Sequence, residues 1–136
     1  MPVKVIAIDD DPAMTELLAL LLKTHGFEVA TANMGEDGIR LVRETNPDVV
    51  ILDLMMPEMD GWKVCADVRK FSNVPILIFS ALDNPGMVAS ALDNGADDYI
   101  VKPVSSGVLV ARLNKLTRRS DVNTKHLQPQ TAPSPI

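Results

Sequence analysis

Aromatic residues are scarce: one Trp, one Tyr and three Phe, or 4% of the 136-residue chain. Its core must therefore be built from Val, Ile, Leu, Ala and Met. A single cysteine, Cys65, excludes an intramolecular disulfide and fits a reducing compartment. With no His or Cys at ligand spacing, Cys65 reads as a small core residue. Basic charge is also in short supply. Thirteen Lys and Arg stand against eighteen Asp and Glu, a net charge of −5, which argues against nucleic-acid contact by this chain. No apolar run approaches membrane-spanning length, and the N-terminus lacks a signal-peptide layout, so no membrane association is expected and a cytoplasmic protein is inferred. Internal repeats and low-complexity runs are absent. From Ser120 onward the chain is polar and carries Pro129, Pro133 and Pro135, so residues 120–136 are expected to be a disordered tail or the start of a linker.

What is present fits one domain, spanning residues 1–119, with a substantial core. Val3 to Ile8 reads as a buried strand ending in Asp9-Asp10-Asp11, with Pro12 placed for the first turn of a helix. That helix runs to His25, and Gly26 stops it. Its Leu17, Leu18, Leu20, Leu21 and Leu22 cover more than one face, so the helix is either well buried or docks a partner with part of that surface. Phe27 to Ala32 alternates and reads as an edge strand. Gly35 to Thr45 is a second helix, terminated by Asn46-Pro47. Val49 to Leu52 is a strand buried on both faces and ends on Asp53. A third helix covers Gly61 to Phe71. Val74 to Phe79 is a fourth strand ending on Ser80. A weak helix spans Asn84 to Asn94, then comes a short strand from Asp98 to Val101 and Lys102-Pro103. The last helix runs from Ser106 to Arg119.

Strict alternation of strand and helix predicts an α/β fold: a (βα)5 three-layer sandwich with one parallel sheet. In the flavodoxin-like strand order 2-1-3-4-5 the switch point lies between strands one and three, which brings Asp9 and Asp10 beside Asp53. One of the three adjacent acids can cap the first helix, and Asp11 is the preferred one. The surplus carboxylates call for positive charge, and a hard divalent cation such as Mg²⁺ supplies it. Lys102 adds a mobile ammonium and Ser80 a hydroxyl donor. Such a set suits a phosphoryl group landing on a carboxylate.

These residues resemble the receiver domain of two-component response regulators. The likeness covers residues 3–119. It rests on the acidic pair after strand one, Asp53-Leu54-Met55-Met56-Pro57 with Gly61, Phe79-Ser80-Ala81, and Tyr99-Ile100-Val101-Lys102-Pro103. By that resemblance Asp53 is the phosphoryl acceptor. Asp10 is the direct Mg²⁺ ligand with Asp9 acting mainly through water, and the Met55 backbone carbonyl completes the protein ligands. Lys102 pairs with the phosphoryl oxygens, and its bond to Pro103 is cis. Ser80 and Tyr99 are the switch pair. A sensor histidine kinase or phosphotransfer protein is the implied donor, docking near Met14, Leu17 and Pro103. The implied output face is helix four, strand five and helix five.

The Gly95-Ala96-Asp97-Asp98-Tyr99 and Val110-Ala111-Arg112 stretches resemble receivers attached to winged-helix DNA-binding domains. Those often dimerise through salt bridges on the output face, and Asp97, Asp98 and Arg112 offer one such pair. Helix four has no Lys or Arg, however, and Val108 stands where an acidic partner is expected, so at most a weak homodimer is anticipated. Bulky apolar Met55 and Leu82, two positions beyond Asp53 and Ser80, imply slow self-hydrolysis. The chain is not expected to be a turnover enzyme.

Three other readings compete. A pseudo-receiver would keep the fold without phosphorylation, although every matched site residue is present. A haloacid-dehalogenase-type phosphatase expects Thr or Val where Ala13 stands, and would leave Asp53 unexplained. A flavodoxin-like cofactor binder needs a phosphate loop where three aspartates would repel phosphate.

Overall fold

The structure is a computed structural model and describes residues 2–57 and 59–125. Five strands alternate with five helices: β1 (Lys4–Ile8), α1 (Pro12–Thr24), β2 (Glu28–Ala32), α2 (Gly35–Thr45), β3 (Val49–Leu52), α3 (Gly61–Arg69), β4 (Ile76–Ser80), α4 (Pro85–Asp93), β5 (Asp98–Val101) and α5 (Ser106–Lys125). All neighbouring strands pair in parallel, in the order β2-β1-β3-β4-β5. The expected fold and strand order are therefore the observed ones.

The near-continuous apolar runs of β1, β3 and β4 follow from coverage on both faces. Because side chains alternate along a strand, each run divides between two cores. Ile6, Ile8, Val50, Leu52, Ile76 and Ile78 pack with Ile39 and Val42 of α2, Val64, Cys65 and Val68 of α3, and Ala91 of α4. Val5, Ala7, Val49, Ile51, Leu77 and Phe79 pack with Leu18 and Leu22 of α1 and with Leu109, Leu113 and Leu116 of α5. Each fully buried Leu or Ile contributes about 1.5–3 kcal/mol. Register locks the central strands together: Ile8 lies opposite Leu52, and Leu52 opposite Ile78. β1 and β3 therefore end side by side, and β4 runs two residues further, to Ser80.

Helix starts follow local chemistry. Asp11 caps α1 by accepting from the Ala13 amide at 3.0 Å, as expected, and Pro12 fills the position that needs no donor. Asp60 caps α3 through the Lys63 amide at 2.8 Å, and Asn84 caps α4 through Gly86 at 2.8 Å. The leucine-rich α1 resolves into two faces. Leu18 and Leu22 are buried, whereas Leu17 and Leu20 are 54% and 67% exposed.

Three boundaries differ from expectation by more than one residue. β4 begins at Ile76 because the Val74 amide turns to Ser72 Oγ instead of joining the ladder. α3 ends at Arg69, and the Lys70 and Phe71 amides close a turn on Asp67 and Val68. α5 continues to Lys125, past the expected end at Arg119, so residues 120–125 are helical. The rest of the anticipated tail, residues 126–136, lies outside the described residues.

Arg69 joins two turns at the end of the sheet remote from the acidic residues. Its guanidinium donates to the Ser72 and Val74 carbonyls, to Gly95 O at 2.8 Å and to Asp97 Oδ2 at 2.9 Å. The same Asp97 oxygen accepts from the Ile76 amide at 2.8 Å. α4, by contrast, buries a single residue, Ala91.

Candidate functional site

The carboxyl ends of β1, β3, β4 and β5 converge on one crevice. Asp9 follows β1, and its amide donates to the Ala32 carbonyl at 3.1 Å. Asp53 follows β3, and its amide continues the β1–β3 ladder by donating to Ile8 O at 3.0 Å. That one bond places Asp53 beside Asp9. Both are buried, at 3% and 7% exposure, while Asp10 faces solvent. Carboxylate oxygens of Asp9, Asp10 and Asp53 lie within 4.8 Å of one another.

Asp53 is held from its own loop. Its Oδ1 accepts from the Met55 amide at 3.1 Å. The Gly61 amide folds back to Leu54 O at 3.1 Å. A Cβ on Gly61 would stand 2.5 Å from the Asp53 carbonyl oxygen and 2.6 Å from Leu54 Cα, so only glycine lets the loop close this tightly.

Lys102 reaches the crevice from β5. Its amide donates to the Ser80 carbonyl at 2.8 Å, and its bond to Pro103 is cis. The ammonium donates to Asp9 Oδ2 at 2.8 Å and stands 3.4 Å from Asp53 Oδ2. Burial pulls this ammonium's pKa down. The Asp9 hydrogen bond and the charges of Asp53 and Asp9 outweigh that effect, so Lys102 sits above its ordinary value. Burial also raises Asp9, with Lys102 and the Asp11 amide offsetting part of the shift.

Ser80 is the last residue of β4 and fully buried; its Oγ accepts from the Leu82 amide at 3.3 Å. Tyr99 packs its ring against the core and donates its hydroxyl to the Leu82 carbonyl at 2.7 Å. Burial holds this phenol above its ordinary pKa, and the charges of Asp53 and Asp83 add to it. Ser80 and Tyr99 thus act on the same residue from two sides.

Three carboxylates against one ammonium leave excess negative charge in a half-closed crevice. The donors are hard oxygens, which suit Mg²⁺ better than a soft metal. A cleft of about 230 Å³ opens beside Asp10, between Asn33 and Met34 on one side and Met56, Pro57 and Met59 on the other. On the other flank Met14, Leu17 and Pro103 line one groove of about 190 Å³ with Leu21, Val104 and Leu109.

Asp9, Asp10, Asp53, Ser80 and Lys102 therefore lie together at one end of the sheet, with Met55 in the loop after Asp53 and Tyr99 joined to Ser80 through Leu82. The expected intermolecular pair does not stand free. Arg112 binds both oxygens of Asp98 in the same chain, at 3.0 and 2.9 Å, and Asp97 is held by Arg69. Sequence reasoning missed Asn33, Thr15 and Arg69. An Asn just before a helix reads as a cap, and an isolated Thr or Arg carries no signal of the groups it will reach across the fold.

Comparison with known proteins is consistent with this geometry. The family described as response regulator receiver domain matches residues 5–114. The transcriptional regulatory protein AfsQ1 of Streptomyces coelicolor is 43% identical over 85% of this chain and 52% of its own length. The DNA-binding response regulator MtrA of Mycolicibacterium smegmatis is 40% identical over 87% of this chain and 52% of its own. The chain spans about half the length of these curated relatives. Among solved structures, the BeF3-activated N-terminal receiver domain of Klebsiella pneumoniae RstA superposes with a TM-score of 0.81 at 34% identity, covering 85% of this chain and 98% of that one. The receiver domain of Francisella response regulator 1452 gives the same score and identity over 86% and 98%.

Proposed function

The chain belongs to the response regulator receiver domain family, and on that premise we propose that Asp53 accepts a phosphoryl group from a sensor histidine kinase or phosphotransfer protein in a Mg²⁺-dependent reaction. The observation that carries this reading is the Asp9–Lys102–Asp53 bridge with Asp10 beside it, at the carboxyl end of a parallel sheet.

An Asp53 carboxylate oxygen attacks phosphorus. The new O–P bond forms as the P–N bond to the donor imidazole breaks, and the leaving nitrogen keeps the bonding pair. Asp10, Asp53 and the Met55 carbonyl would hold Mg²⁺, with Asp9 contributing through water, and the bound ion would supply positive charge against the phosphoryl oxygens. Lys102 moves from Asp9 toward those oxygens, a short shift for a flexible stem. Ser80 Oγ exchanges the Leu82 amide for a phosphoryl oxygen. That frees Leu82 to shift with Tyr99, and the face made by α4, β5 and α5 changes. The charge added at Asp53 thereby biases a two-state equilibrium.

The groove of Met14, Leu17 and Pro103 receives the donor protein in this reading. The switched face passes the signal to an output segment or partner, of the DNA-binding kind named for its relatives. Self-association through that face is weak, because Asp97, Asp98 and Arg112 already have partners within the chain. The domain works in the cytoplasm and turns over no external substrate.

Intact mass after incubation with acetyl phosphate tests the proposal. One phosphoryl group is expected, dependent on Mg²⁺ and lost in Asp53→Ala. No gain on folded protein overturns the reading and favours a pseudo-receiver that binds partners without phosphorylation.

A further inference from the structure

α2 opens at Gly35 with Met34 as its cap residue and no side chain closing its first turn. The nearest polar side chain able to do so, Asn33, turns away from the helix. Its amide nitrogen donates to the Asp9 carbonyl at 2.8 Å and to Thr15 Oγ1 at 3.0 Å. The Thr15 hydroxyl spends its own proton on the Pro12 carbonyl at 3.1 Å, so Thr15 accepts. Both partners of Asn33 are therefore acceptors, which fixes the orientation of its amide. α2 forgoes a cap contribution of about 1 kcal/mol, and the side chain links β1, α1 and the β2–α2 loop instead.

The Asp9 carbonyl lies in the peptide plane that ends at Asp10 Cα. Because that plane is rigid, holding the carbonyl fixes the N–Cα bond of Asp10, and the tether of the Asp11 amide on the far side limits rotation about it, so the two together set the direction in which the Asp10 side chain leaves the backbone. Asp10 depends on such support: its carboxylate is exposed and makes no hydrogen bond among the described residues. The Asp9 amide is tied to Ala32, and the Asp11 amide to Asp9 Oδ1 at 3.0 Å. Asn33 supplies the restraint on the carbonyl between them.

We propose that Asn33 is a positioning residue of the cation site, holding the 9–10 peptide against the first turn of α1 so that the Asp10 carboxylate meets a divalent cation shared with Asp53. This rests on the reading of the acid cluster as a Mg²⁺ site.

Calorimetric titration of the full chain with MgCl₂ tests it, with the fluorescence of Trp62, the chain's one tryptophan, as a second readout. Asn33→Ala is expected to weaken Mg²⁺ binding about fivefold to tenfold. The Mg²⁺ concentration that half-saturates labelling by acetyl phosphate should rise by the same factor, while labelling at saturating Mg²⁺ changes less than twofold. Thr15→Val should weaken binding less. The double variant should match Asn33→Ala, because Thr15 acts through Asn33. Unchanged Mg²⁺ affinity in folded Asn33→Ala overturns the proposal. So does additivity in the double variant, or a loss of folding without Mg²⁺, which would make Asn33 a structural residue. If the unaltered chain binds no Mg²⁺, the reading of the acid cluster fails first, and the two failures are thereby told apart.

Discussion

The Tyr99 hydroxyl closes onto the backbone carbonyl of Leu82 at 2.7 Å, bridging β5 to the loop that leads into α4. Tyr99→Phe removes that bond and leaves the ring packed. A loss of about 1 kcal/mol is expected, or a fall of about 4 °C in Tm. Hydrogen exchange should quicken at Ala81–Asn84, while the rate of labelling by acetyl phosphate stays within twofold. Unchanged exchange in that loop would show that the bond restrains nothing.

Lys102 shares one positive charge between two buried carboxylates, so Lys102→Met should separate metal binding from chemistry. Without Mg²⁺ the uncompensated acids cost roughly 3 kcal/mol. Adding Mg²⁺ should restore most of the Tm. Mg²⁺ should bind more tightly than in the unaltered chain, since a competing cation has gone, and labelling of Asp53 should fall at least about tenfold. Weaker Mg²⁺ binding in the variant would count against this account.

Gly61→Ala places a methyl group against backbone atoms of Asp53 and Leu54, which cannot swing aside as a side chain would. Destabilisation of about 2–3 kcal/mol is expected, with labelling impaired even at temperatures where the variant stays folded. A chemical denaturation curve and a labelling time course read both effects. A neutral result would mean that the loop has room to move.

Cys65 is buried, and burial raises its thiol above the ordinary 9.0. Reaction with a thiol reagent at neutral pH should be on the order of a hundredfold slower than in the unfolded chain. At neutral pH neither state ionises this thiol, so it adds no pH dependence there. Above about pH 9 the unfolded chain releases the proton first and the folded chain keeps it, so stability falls as pH rises. Cys65→Ala should lessen that alkaline fall; an unaltered slope would assign it to other groups.

Met55 and Leu82 offer no polar atom to orient an attacking water. The double variant Met55→Asn, Leu82→Glu should lose its phosphoryl group roughly ten- to a hundredfold faster. Decay followed by intact mass after removal of the donor provides the measure. Equal or slower decay would show that side chains at these positions do not control water.

Much of this was legible in the sequence because period and punctuation agreed. Apolar runs in β1, β3 and β4 indicated burial on both faces, and an acid or hydroxyl at each run's end, with Lys102 after β5, marked one end of the sheet. Asp11 as a cap could be read from its place before Pro12. Bonds made across the fold could not be read in the same way. Whether Asp98 pairs with Arg112 of its own chain or of another depends on side-chain reach, and sequence spacing does not encode that. Nor could Asn33 be separated from an ordinary helix cap, since the same short amide serves both uses and only the direction of its partners decides. The length of α5 escaped because polar residues beyond Leu116 carry no apolar period, while helix propensity and backbone bonding still extend it.

Arg69 gives the two ends of α4 unequal freedom. At the C-terminal end, the Gly95 carbonyl and Asp97 are fastened to α3 and to the start of β4. At the other end, among the described residues, the loop before α4 is held at Leu82 by two side-chain bonds, from the Leu82 amide to Ser80 Oγ and from the Tyr99 hydroxyl to the Leu82 carbonyl. A short rod fixed at one end and released at the other pivots rather than slides. Nine residues make a lever of about 13 Å, so a tilt of roughly 10° would carry its free tip about 2 Å. In the switch proposed above, a sub-ångström change in hydrogen bonding at Leu82 would be amplified by this lever into a displacement that a partner's side chains could feel.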